Sequence, residues 1–136
     1  MSVNYLNPDG LHNNPAFSQV VTTEGDVRTI YVGGQNAVNG TGEIVGIGDL
    51  RQQAEQTFKN IEVALAAAGA KLEHVIKWNV YLVEGQSPHP AFEVYQRVCG
   101  NRPNPPLVTV LFVSGLANPE FLLEIDAIAI MPVAKG

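Results

Sequence analysis

Residues Leu107 to Val113 read Leu-Val-Thr-Val-Leu-Phe-Val, an almost unbroken apolar run. A strand with one wet face alternates between apolar and polar side chains, so this run reads as a strand buried on both faces. The chain must then supply a layer of structure on each side of it.

One layer is legible in the sequence itself. Between Asp49 and Ala68, the residues Leu50, Ala54, Phe58, Ile61, Leu65 and Ala68 recur at spacings of three and four, which puts one apolar stripe along a helix. Asp49 followed by Gln52 resembles a capping box, and Gly69 suits the position just past the helix end. Ser87-Pro88 opens a second, shorter helix that runs to Cys99 and closes at Gly100. Ahead of the long helix, residues 1–16 read as an extended arm with turns. Ser18–Thr23 and Val27–Gln35 are β-branched runs separated by Glu24-Gly25-Asp26, which is a hairpin signal. Asn36–Gly48, with four glycines, reads as a long loop. His74–Val83 alternates, with Ile76, Trp78, Val80 and Leu82 on one side and Lys77, Asn79 and Tyr81 on the other. After the loop Asn101–Pro106 and the apolar run, Phe121–Met131 alternates again and carries two carboxylates. The order ββαβαββ predicts an α+β fold, a mixed sheet with both helices on one face, because crossovers are right-handed. The second face then needs a cover, and a second copy of the same sheet is the simplest one.

Charge and composition exclude several function classes. The chain has 136 residues and a net charge of −5, and its eight Lys and Arg residues form no basic face, so a phosphate backbone is not an expected partner. A single cysteine, Cys99, permits no internal disulfide. There is no basic and apolar leader at the N-terminus and no apolar run of membrane-spanning length. The expectation is one domain over residues 1–136 in the cytoplasm, with neither a nucleic-acid nor a membrane partner.

Candidate chemistry is sparse. Glu124 and Asp126, two apart on a strand, share a face about 7 Å from each other. One could act as general base on a water while the other tunes it, or either could pair with Lys77 on a neighbouring strand. For Asp126 the pairing is the expectation, and for Glu124 both readings stand. His12, His74 and His89 have no mutual spacing that suggests a metal site, so no metal is expected. Cys99 reads as a half-buried apolar residue. Gly33-Gly34 leads into no helix and so is not a phosphate loop. Its use would be to let a backbone N–H approach a ligand closely.

Three stretches in order resemble the RidA/YjgF family: Tyr31-Val-Gly-Gly-Gln35; Gln53 with Asn60-Ile61 and Leu65-Ala-Ala-Ala-Gly69, leading into His74-Val-Ile-Lys77; and Pro106, Leu116 and Leu123-Glu-Ile-Asp-Ala-Ile-Ala129. The resemblance covers about residues 15–131. It implies a chorismate-mutase-like domain assembled as a homotrimer, with ligand clefts between subunits and no cofactor. It also exposes departures. The arginine that pairs with a substrate carboxylate in deaminating members falls at Val108, or at Leu107 with a one-residue slip. The family's substrate-facing tyrosine falls at Phe17, its serine before the Gly-Gln turn at Gly33, and its short-helix asparagine at Phe92. Glu124, Gly34 and Thr109 remain.

No aliphatic side chain replaces a guanidinium's two charge-assisted bonds to a carboxylate. A cleft lined by Phe17, Phe92 and Val108 therefore suits a neutral or apolar ligand, unless Arg102 in the preceding loop swings in. The implied activity is hydrolysis of an imine or enamine, with Glu124 orienting water and backbone groups at Gly34 and Val110 holding the substrate. The alternatives are a non-catalytic ligand-binding or regulatory trimer and a holdase-like interaction protein. The ribonuclease label also attached to the family fits this acidic chain poorly.

Overall fold

The computed structural model describes residues 1–133. Its elements are β1 (Ser2–Leu6), β2 (Val20–Glu24), β3 (Val27–Gln35), α1 (Leu50–Ala67), a 3₁₀ turn (Leu72–His74), β4 (Val75–Val83), α2 (His89–Cys99), β5 (Leu107–Val113) and β6 (Leu123–Pro132). The main sheet has the order β3-β6-β4-β5. β6 runs antiparallel to both of its neighbours, and β4 and β5 are parallel. The α+β class, the mixed sheet and the two helices packed on one face follow the sequence reading.

Two expectations are corrected. Gly25 does turn the chain, with φ +86°, but β2 does not form a hairpin with β3. It pairs antiparallel with β1, Ser2 opposite Glu24 and Leu6 opposite Val20. The arm of residues 1–16 therefore contains a strand, and the order is βββαβαββ. β3 takes β6 as its partner instead, a pairing across about a hundred residues that no local pattern encodes. The apolar run read as a strand buried on both faces is β5. It forms the edge of the sheet, and Leu111 and Phe112 are 49% and 54% exposed.

The core lies between the sheet and α1 with α2. Trp78, Leu82, Ile125 and Ala129 meet Ala54, Phe58, Ile61 and Leu65 from α1 and Val94 from α2, all nearly or fully buried. Phe58, Trp78 and Tyr95 form an aromatic cluster with ring centroids 5.5–6.2 Å apart, a favoured separation for tilted and edge-on rings. Two polar residues of α1 fix the loops. Buried Gln53 donates to the carbonyls of Gly46 and Glu120 and accepts from the Leu122 N–H. Asn60 donates to the carbonyls of Asn36 and Val38. The long loop and the β5–β6 connection are thereby tied to a rigid element. Asp49 caps α1 through its side chain, which accepts from Gln52 N at 3.0 Å. No helix among the described residues is long and apolar enough to cross a membrane.

Candidate functional site

The residues singled out in the sequence fall into two groups on opposite faces of the sheet. The first surrounds Glu124 on the face away from the helices. β3 leaves its ladder register between Val32 and Gln35, and there Gly34 lies under the Glu124 side chain. A Cβ on Gly34 would sit 2.5 Å from Glu124 Oε2 and 2.8 Å from its Cδ, so any larger residue would have to displace the carboxylate. Asn36 holds the other oxygen. Its Nδ2 donates to Glu124 Oε1 at 3.3 Å and to the Leu123 carbonyl at 3.0 Å, and its own carbonyl is held by Asn60. The carboxylate is thus placed by a chain of bonds that begins on α1.

Next to it, Asp126 accepts from Asn79 Nδ2 at 2.7 Å and from the Tyr81 hydroxyl at 3.1 Å. The expected pairing with Lys77 is corrected: the ion pairs among the described residues are Arg51–Glu93 and Arg97–Glu55, between the helices. The amide and the phenol satisfy Asp126 from the strand alongside, leaving it no need of the lysine. Tyr81 lies opposite Glu124 in the β4–β6 ladder. Its hydrogen bond to Asp126, reinforced by burial and by both carboxylates, pushes its phenol above the ordinary range. The bonded phenol is therefore neutral and donating at neutral pH. Thr109 pairs with Asn79 and so shares this face, where it is exposed. Gly33 is open above.

The second group faces the helices. Val108 and Val110 pair with Trp78 and Val80, whose side chains are in the core. With Phe92 and Tyr95 of α2 and Phe58 of α1 they line a cavity of about 40 Å³, which no charged side chain borders. Leu123 and Ile125, on either side of Glu124 in sequence, form part of its floor. The sheet therefore separates Glu124 from this cavity within one protomer.

Phe17 joins neither group. It is half-buried, edge-on to His12 at 5.7 Å. The neighbouring Ser18 donates through N and Oγ to the carbonyls of Pro106 and Pro105, which pins this segment beside the start of β5. Arg102 does not enter the apolar cavity. Its guanidinium donates to the Val75 carbonyl and to the Tyr5 hydroxyl, latching β1 to the start of β4. Cys99 is buried, and burial pushes its thiol up to about 12, which keeps it protonated and unreactive at neutral pH. Among the described residues no three His, Cys, Asp or Glu side chains converge as a metal would require. Sequence reasoning missed Asn36, Tyr81, Phe58 and Tyr95. Asn36 directly follows the Gly-Gly-Gln turn, and Tyr81 alternates on the same side as Asn79. Those two signals were available.

Comparison with known proteins places this geometry among relatives. Residues 10–131 match the family model described as endoribonuclease L-PSP. A RutC family protein of Pyrococcus horikoshii is 38% identical over 101 residues, covering 74% of this chain and 77% of that one. The human 2-iminobutanoate/2-iminopropanoate deaminase is 30% identical over 115 residues, covering 84% of this chain and 79% of that protein. The crystal structure of a member of the conserved Rid protein family from Yersinia pestis superposes with a TM-score of 0.81 at 30% identity, covering 96% of this chain and all of the other.

Proposed function

The chain belongs to the endoribonuclease L-PSP family, also called RidA/YjgF, and from that premise we propose that it hydrolyses imines or enamines whose reacting end carries no carboxylate. The observation that carries this reading is the lining of the cavity at Val108. Aliphatic and aromatic side chains surround it, and the candidate replacement cation, Arg102, is committed to Val75 and Tyr5. A carboxylate placed there would lose its hydration without gaining a partner, at a cost of several kcal/mol.

The reaction is completed across two copies of the chain. Glu124 with Gly34 forms a polar half, and Phe92, Val108 and Val110 form an apolar half. Because the sheet divides them within a protomer, a cleft between subunits of a homotrimer is the arrangement that joins one half to the other. In that cleft Glu124 takes a proton from water as it attacks the imine carbon, and returns it to the departing nitrogen. Phe17, on the half-buried segment that Ser18 pins beside the start of β5, borders the cleft, and the open Gly33 and Thr109 lie on the polar side. The chain works as one domain, in the cytoplasm, with no cofactor.

The test is ammonia release from carboxylated and neutral imines generated in situ. Neutral imines are expected to be accelerated and carboxylated ones not. Val108→Arg is expected to move the preference toward carboxylated imines by roughly tenfold or more. Activity of the unaltered protein on carboxylated imines equal to that on neutral ones would sink the reading, and inactivity on both would favour a binding role.

A further inference from the structure

The cavity behind α2 sets a size as well as a polarity. A water-sized sphere takes about 10–15 Å³, and an apolar cavity of about 150 Å³ seats benzene. The 40 Å³ here holds about three such spheres, an isopropyl group but not a ring. Val80, Val108, Val110, Leu123 and Ile125 wall it from the sheet, and Phe92, 41% exposed, stands at its mouth. A branched alkyl group needs nothing from this wall except contact, whereas a hydroxyl or carboxylate would go unpartnered.

Resting on the function proposed above, we infer that the substrates are imines of short branched alkyl amines, of the isobutylidene-imine kind. The reaction that supplies them is then two-electron oxidation of a primary amine lacking a carboxylate. Oxidation of an α-amino acid leaves the carboxylate on the imine carbon, where it would meet Val108. In the supply step, (CH3)2CH–CH2–NH2 loses two electrons and two protons to an oxidised flavin or to oxygen and becomes (CH3)2CH–CH=NH. In the hydrolysis a C–O bond forms, the C–N bond breaks, and (CH3)2CH–CHO and NH3 leave without any change of redox state. Glu124 carries the proton from water to nitrogen.

Isobutylamine and valine make a matched pair, since their imines differ only in the carboxylate. Each imine is generated in situ, by a flavin amine oxidase or an amino-acid oxidase with oxygen as acceptor, and semicarbazide competes with hydrolysis for it. The assembled protein is expected to suppress semicarbazone formation from the isobutylamine imine roughly tenfold or more, and to leave the valine imine unchanged. Benzylamine imine is expected to be spared by the unaltered protein and to become a substrate of Phe92→Ala, which opens the mouth at a half-exposed position. Equal action on the benzylamine and isobutylamine imines overturns the size inference. Action on a neutral cyclic imine but not on the isobutylamine imine overturns it too, and leaves the proposed function standing. Action on the valine imine, or on none of the panel, overturns both.

Discussion

At Gly34 one hydrogen atom in place of a methyl group decides where a carboxylate lies. Gly34→Ala is expected to push Glu124 out of reach of Asn36 and to lower turnover of a neutral imine about tenfold or more, with little loss of stability. Steady-state rates beside urea unfolding would check this, and an unchanged rate would show that the carboxylate's position does not matter. Cys99 gives a second single-residue prediction. Its thiol stays protonated in the fold up to about pH 12 but ionises near 9.0 when free. The stability gained by keeping it neutral is whole below the lower value and is lost as pH rises toward the higher. Unfolding free energy should therefore fall between pH 9 and 12, and Cys99→Ala should remove the part of that fall that begins first. Tyr95, also pushed to about 12 by burial, keeps the remainder. At this scale the sequence was informative about identity and weak about contact. Val108 and Glu124 were both legible as candidates. Their position on opposite faces depends on Val108 pairing with Trp78 and Glu124 with Tyr81, and strand register is not a local property.

Among the elements, α1 does most to organise the molecule. Its apolar stripe was readable because Leu50, Ala54, Phe58, Ile61 and Leu65 keep a helical period along a helix of eighteen residues. Its polar work was not, because Gln53 looks like any surface glutamine until the loops fold over it. Gln53→Ala would strand two carbonyls and one N–H, and is expected to cost about 2–4 kcal/mol by urea unfolding. Gln56→Ala, which removes one bond to Asn60, should cost well under half of that. Equal losses would mean that the loops hold themselves. The strands were read less well than the helices. β1 reads as an arm because its partner lies fourteen residues beyond its end, and β5 as a strand buried on both faces because its composition suits one. An edge of this composition is unusual in a protein that stays a monomer, since edges are commonly guarded by charge or proline.

For the whole molecule, the division of the proposed site into two halves predicts complementation. Glu124→Gln removes the polar half and Phe92→Glu blocks the apolar one, so each should be inactive by itself. Refolded together, the two would form mixed oligomers in which some clefts receive an intact half from each chain, and activity should return to a measurable fraction of the original. Failure of mixed oligomers to recover any activity would place the whole site within a single protomer. Trp78, the only tryptophan, is 1% exposed between Phe58 and Tyr95, and its indole N–H finds no acceptor among the described residues. Both of those flanking rings also line the apolar cavity. The fold therefore contains its own optical gauge: a single emitter in dry surroundings, blue-shifted at rest, whose brightness and colour should respond when a guest moves the rings beside it.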